Sequence, residues 1–413
     1  MKKLTLTIFF ILGLSCLAFS QEKQPQTFSK EQITEALDEM ITDLQQNYIY
    51  LKDKKVDLNC IKTNYTSKID AIKTDDDLVL FFEYLLDEFY DSHLILNTNR
   101  KSSFRLYAPI HTTSQNEKTI ISSVWQTQIA NLNENIIGAE VLKFNGKKLS
   151  LLIDQFPTSC SDKNNEEVRT WIGNKILSGR YYEPRNLELK LQNGNLLNIN
   201  LDSLKIKTHK TLLSTSQINN IGIIQINNSL GNSELISAFD KTLDSLMNTK
   251  GLIIDLRNTV DGGDSYIARG IMGRFINEEK PYQKHWAVED YSNHPPIIRS
   301  WIEYVSPRGI QYKKPVVILI GKWTGSMGEG LAIGFEGMGR AEIVGTEMEQ
   351  LAGAMNGFGF KNLNFGYRIS TEKLFHINGT PREKYIPTHY VVPVSISKDE
   401  ILEKGIEIIN NGE

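Results

Sequence analysis

Hydrophobic positions along this chain change their period several times, and each change marks a different kind of element. Ser29 followed by Gln32 has the form of a capping box, and Ile33, Leu37, Met40, Ile41 and Leu44 then recur every three or four residues. That spacing predicts an amphipathic helix. A second helix is predicted from Thr74 and Asp75, with acidic residues in its first turn and Leu78, Phe81, Phe82, Leu85, Leu86 and Phe89 along one buried face. The period breaks at Asp91-Ser92-His93, and Leu94-Ile95-Leu96 reads as a short strand. Ser92 and His93 therefore fall at a helix-to-strand junction.

From about Phe104 to Lys207 the pattern shifts to short β-prone runs. Gly138 to Phe144 leads into Asn145-Gly146, and Leu187 to Leu191 leads into Asn193-Gly194, two strong local hairpin signals. One helix is predicted between Glu166 and Leu177, so the segment reads as a small β-rich module. Beyond it, strand and helix alternate. Ile221 to Ile226 is an apolar strand, Glu234 to Met247 carries apolar residues at helical spacing, and Leu252 to Leu256 is a second strand. Strand, helix and strand in so short a span predict a right-handed parallel crossover. Pro315 to Ile320, Gly325 to Met338 and Ala341 to Val344 extend the alternation, which makes residues 208–413 an α/β core.

Composition adds compartment and exclusions. The chain has 413 residues, with 46 Lys+Arg against 49 Asp+Glu and a formal net charge of −3, which offers no basic footprint for nucleic acid. Lys2 and Lys3 precede an apolar run from Leu4 to Leu17, and Ala18-Phe19-Ser20 supplies small residues before Gln21. This is the layout of a secretory signal peptide, with cleavage expected after Ser20 and a periplasmic or secreted product. Cys16 invites a lipoprotein reading, but Gly13 stands where a lipobox usually has Leu. A retained anchor helix is the other alternative, disfavoured because the run is shorter than the roughly 20 residues of a membrane span. No later stretch is apolar for long enough to suggest an integral span in the mature chain. Only Cys60 and Cys160 would remain after cleavage, too few for a disulfide framework, and whether they pair stays open. Neither has metal-ligand spacing. The chain also lacks a His-Glu-x-x-His helix and a Gly-x-x-x-x-Gly-Lys-Ser/Thr loop, so no metal or nucleotide cofactor is expected.

Two windows carry candidate chemistry. In Val316 to Gly330 a buried strand ends, small residues turn the chain, and Ser326 stands at the first turn of the next helix. Amide groups there lack helical acceptors, so Met327 N–H is placed to stabilise an oxyanion beside a Ser326 nucleophile. The plain alternative is that Ser326 merely caps the helix. The second window, Asp255 to Gly263, pairs Gly262 with Gly263 after an apolar strand, where backbone approaches a ligand closely. In a parallel sheet both loops emerge at the same edge, where ligands bind.

The strings Leu252-Ile253-Ile254-Asp255-Leu256-Arg257-Asn258 with Gly262-Gly263, Ser326-Met327-Gly328-Glu329, and Gly339 to Gly345 together resemble the core of the C-terminal processing (tail-specific) serine peptidases. The resemblance implies a Clp/crotonase-like spiral α/β core, an N-terminal helical region and a PDZ-like module. These would occupy residues 208–413, 21–103 and 104–207, behind a signal peptide at 1–20. It implies Ser326 as nucleophile, with Met327 N–H and a glycine of Gly262-Gly263 as oxyanion hole. Family members with a Ser/Lys dyad carry the lysine 25 residues after the serine, and here that position is Leu351. The tricorn-like branch instead uses a Ser-His pair from the helical region and a distant Glu. Ser92-His93 and Glu383 occupy those places, giving an implied relay from Glu383 through Ser92 and His93 to Ser326. Glu347, Glu349 and Glu372 are rival acids, His285, His294, His376 and His389 rival histidines, and Lys322 a rival base. The implied substrate is a peptide or unfolded protein. A catalytically silent binding protein on the same fold and a serine esterase are the alternatives.

Overall fold

The computed structural model describes residues 28–290 and 294–412. The export signal expected over residues 1–20, with Cys16, lies outside them. Among the described residues no helix is long and apolar enough to cross a membrane.

The α/β core is built on a six-stranded sheet in the spatial order 389–390, 342–345, 316–320, 251–255, 221–226, 213–218. All neighbours run parallel except the last pair. Gly251–Asp255 and Val316–Ile320 are buried at every position because both faces of the sheet are covered. Side-chain alternation divides them between two apolar layers. Leu252, Ile254, Val316, Ile318 and Ile320 pack with Leu235, Phe239, Ile267, Leu331 and Phe335 of three helices, while Ile253, Val317 and Leu319 pack with Ile401 and Ile409 of the last helix, Glu400–Asn411. The predicted crossover is present, with Ile221–Ile226 and Gly251–Asp255 parallel around Glu234–Ser245.

Residues 104–207 form a second six-stranded sheet with helices Leu149–Asp154 and Glu166–Ser178. Its Asn145-Gly146 turn has φ +49° and +79°, as a two-residue hairpin turn requires, and joins Phe144 to Lys147. A third, antiparallel sheet was not foreseen from the sequence. Lys280–Glu289, Ile297–Val305, Ala354–Gly359 and Gly366–Phe375 form it, and Ile95–Leu96 of the N-terminal region joins its edge.

The N-terminal region is helical as its periodicity predicts. The Ser29 capping box with Gln32 is formed, and Thr74 makes a second one with Asp77. Its apolar face packs on Ala352, Phe360, Phe365, Tyr367 and Ile369, so the helices lie against the third sheet. Cys60 and Cys160 form a disulfide, with Cα atoms 5.8 Å apart, stapling this region to the β-rich module.

Candidate active site

Ser326 stands where a fully buried strand turns into the helix Met327–Gly337. The turn is pinned by Thr324, whose hydroxyl donates to Leu256 O at 3.0 Å and accepts from Gly321 N–H at 3.1 Å. It has little freedom elsewhere, since a Cβ on Gly328 would lie 2.2 Å from Thr259 Oγ1. The chain therefore passes through Ser326 at φ +48°, ψ −110°, a conformation a side-chain-bearing residue holds at a cost of roughly 1–3 kcal/mol. Ser326 is half-buried, and its hydroxyl makes no capping bond to the helix it precedes. The plain capping reading of this serine therefore fails.

Gly262, at φ +66°, lies directly against it. A Cβ built there would sit 2.4 Å from Ser326 Cβ and 3.0 Å from both Ser326 Oγ and Met327 N. The Gly262 amide is already spent, donating to Thr259 O at 3.0 Å. Of the expected oxyanion donors, Gly262 is thus present for the room it leaves. Met327 N–H and Gly263 N–H have no acceptor among the described residues. Gly263 is held tightly, because a Cβ there would lie 2.1 Å from the Leu230 carbonyl. Thr259 O also accepts from Gly325 N–H at 3.2 Å, so one carbonyl ties the two loops together.

His93 follows the helix Asp75–Asp87 and precedes the strand Ile95–Leu96, whose pairing to Tyr367 and Arg368 fixes where the imidazole lies. It is 4% exposed. Its backbone N–H donates to Asp91 Oδ1 at 2.9 Å, and Asp91 in turn accepts from Tyr48 OH at 2.6 Å. Ring Nδ1 is 2.9 Å from Ala352 O. A carbonyl only accepts, so Nδ1 carries the proton and Nε2 presents a lone pair, for which the described residues offer no partner. Burial pushes the imidazole down to about 4, opposed by the Ala352 carbonyl and reinforced by the charge of Arg382. The ring is neutral at physiological pH.

The link from His93 to the nucleophile helix is the segment 350–353. Glu329, one turn after Ser326 and fully buried, accepts from Gln350 N–H at 2.8 Å and Leu351 N–H at 3.3 Å. Arg382 donates to Leu351 O at 3.1 Å and Gly353 O at 2.9 Å, and its Nε lies 3.5 Å from Glu329 Oε2. Burial raises Glu329 to about 7 against the pull of Arg382. Leu351 is thus part of a strap held from both sides. Among the described residues no hydrogen bond joins His93 Nε2 to Ser326 Oγ.

Two members of the implied relay stand elsewhere. Ser92 is exposed and accepts from Trp171 Nε1 at 3.1 Å, with no bond to His93 or Glu383. Glu383 lies beside Tyr50 and Arg382, its carboxyl raised by burial and lowered by those two neighbours. The relay from Glu383 through Ser92 is therefore not assembled, because the Trp171 indole of the β-rich module engages the hydroxyl and the Ala352 carbonyl takes Nδ1. Sequence reading missed Ala352, because a main-chain carbonyl has no signature. It also gave no role to Glu329 and Arg382, although Glu329 lies within the Ser326-Met327-Gly328-Glu329 string. His294 is exposed, and most of the other rivals are engaged otherwise. His285 bridges Glu303 and Glu372 at 3.1 and 3.0 Å, His376 lies 3.3 Å from Glu336, His389 lies 3.2 Å from Glu342, and Tyr390 OH donates to Glu347. Lys322 is lowered by burial and lies 3.8 Å from Glu347. Glu349 faces the nucleophile turn, its Oε2 2.3 Å from where a Gly325 Cβ would be.

Residues 220–392, which hold both loops, match the model of Peptidase family S41. The core belongs to peptidase family S41. Residues 29–87, within the helical region, match the Tricorn protease C1 domain. Three solved structures share the architecture. Mature CPAF is 13% identical with a TM-score of 0.60 over 92% of this chain and 96% of its own. A putative peptidase from Parabacteroides merdae is 14% identical, with a TM-score of 0.55 over 93% and 97%. The photosystem II D1 C-terminal processing protease is 13% identical, with a TM-score of 0.54 over 90% and 96%. Identities this low bear on the fold alone. No curated protein matches the sequence. Membership in a peptidase family implies peptide or protein substrates.

Proposed function

We propose that this S41 peptidase is an exported serine endopeptidase that cleaves through an acyl-enzyme on Ser326, with His93 as general base. Ser326 Oγ attacks the scissile carbonyl carbon and its proton passes to His93 Nε2. The carbonyl oxygen becomes an oxyanion between Met327 N–H and Gly263 N–H. Collapse expels the amine, which takes the proton back from His93, and water activated by the same nitrogen hydrolyses the ester. The Ala352 carbonyl holds the tautomer that this cycle needs. Glu383 serves by opposing the positive charge of Arg382, which otherwise disfavours the imidazolium. Glu329 and Arg382 position the strap that carries Ala352. The Cys60–Cys160 disulfide supports export to an oxidising space.

The observation that carries the proposal is the strained, uncapped Ser326 pressed against Gly262 at the start of a buried helix. A fluorophosphonate adduct located by mass spectrometry tests it. The wild-type chain is expected to carry the adduct on Ser326. Ser326→Ala abolishes it and His93→Ala slows its formation by about 10²-fold or more. Folded wild type that takes no adduct, or takes it on another residue, would overturn the mechanism, and labelling without cleavage of any peptide would favour an esterase.

A further inference from the structure

Beside the oxyanion loop a cleft of about 480 Å³ opens between the core and the β-rich module, within the size range of ligand sites. Its core wall includes Asp261, the residue before Gly262-Gly263, so the cleft reaches the loop that carries the oxyanion glycines. The two walls are locked in register near the site. Trp125 Nε1 donates to Arg257 O and Asn258 Oδ1, both at 3.0 Å, and the Trp125 ring stacks on Trp323 of the nucleophile turn.

The module wall combines two chemistries. Leu106, Tyr181 and Ile206 stand 64%, 46% and 44% exposed, an unusual concentration of uncovered apolar surface in one cleft. Around them lie Arg105, Arg185 and Lys207. Asp202 pairs with Arg185 at 2.7 Å and lies 3.8 Å from Arg105, so two guanidinium groups share one carboxylate. Among the described residues the Lys207 ammonium meets the Thr127 carbonyl, at 3.0 Å, and no carboxylate. Positive charge is therefore in surplus on this wall. The core wall is acidic at Asp261, whose carboxylate is held by Asn228 Nδ2 at 2.6 Å.

Resting on the peptidase reading, we propose that this cleft selects substrates by a short extended segment in which an apolar or aromatic side chain is followed by an acidic one, the acid lying against Lys207 and Arg185 and away from Asp261. The apolar side chain covers Leu106, Tyr181 and Ile206, and the carboxylate takes the surplus charge. Like-charge contact with the same wall rejects a lysine at that position.

The test is a binding measurement on the full chain carrying Ser326→Ala, which separates recognition from turnover. Two fluorescein-labelled peptides, one with Phe-Glu and one with Phe-Lys in an otherwise identical Gly/Ser context, are titrated by fluorescence anisotropy. The Glu peptide is expected to bind roughly five- to tenfold more tightly, a difference that shrinks as salt is raised. Lys207→Glu, at an exposed position, is expected to reverse the order, and Arg185→Gln to narrow the gap. Equal affinities would overturn the proposal. So would an affinity that vanishes on amidating the peptide's C-terminus while ignoring the Glu-to-Lys exchange, since the cleft would then grip a chain end. Failure of the peptidase reading shows separately, as wild-type protein without a Ser326 adduct.

Discussion

Gly262→Ala is the sharpest probe of the site, because the same substitution can be made where only the backbone resists it. At Gly262 the new Cβ would lie 2.4 Å from Ser326 Cβ, whereas ordinary contact begins at 3.4 Å. Ser326 must therefore retreat by about 1 Å, a misplacement that typically costs about 10²-fold in rate. The left-handed φ of +66° adds roughly 1–2 kcal/mol of backbone strain. Gly146→Ala is the control, with φ +79° and nothing within 4 Å of its Cβ. It suffers the same backbone cost in a hairpin far along the chain from either catalytic loop. Urea melts should show both variants destabilised by about 1–2 kcal/mol, with a further loss for Gly262→Ala. Adduct formation on Ser326 and peptide turnover should fall about 10²-fold for Gly262→Ala and stay within twofold of wild type for Gly146→Ala. If Gly262→Ala retains wild-type turnover while melting like the control, the proposed contact does not hold the nucleophile.

Three further outcomes follow from the same structure. Because burial holds the His93 imidazole down near 4 and catalysis needs it neutral, kcat/KM should be flat from neutral pH to about pH 5 and halve near pH 4; a midpoint at 6.5 would show an exposed base. The same depression makes the His93 contribution to stability complete above pH 6.5 and lost as pH falls through about 4, worth about 3 kcal/mol, so the stability difference between wild type and His93→Gln should vary across that window. Reduction of the Cys60–Cys160 bridge, which closes a loop with a sequence separation of 100, should cost up to about 4–5 kcal/mol in urea unfolding. The Cys60→Ser/Cys160→Ser protein should melt with the reduced wild type and ignore reductant, and coincident melts of oxidised and reduced wild type would mean that the bridge constrains nothing.

Much of the architecture was legible because it is local. The capping box at Ser29, the acidic helix start at Thr74, the helical periods behind them, the Asn145-Gly146 turn and the apolar strands ending at Asp255 and Ile320 each depend on residues within one turn or one strand. The antiparallel sheet of 280–305 and 354–375 was not legible. Its two hairpins are joined only by the distant pairing of Lys280–Glu289 with Gly366–Phe375, and its burial is mixed, with Ile297, Ile298 and Ile302 exposed, so no clean alternation marks it.

The site divides in the same way. Ser326, Met327 and the Gly262-Gly263 pair could be named from sequence because a nucleophile turn and a close backbone approach each demand particular residues at adjacent positions. His93 could be singled out as a candidate from its junction and from a resemblance, but its tautomer depends on the carbonyl of Ala352, from a distant part of the chain. The same holds for Ser92, diverted to Trp171, and for the division of labour between Gly262, which makes room, and Gly263, which keeps a free amide. Sequence determined which groups were available and which local bends they required. Only tertiary structure decided how those groups were oriented and charged, because hydrogen-bond partners and desolvation come from neighbours that the fold, and not the chain order, brings together.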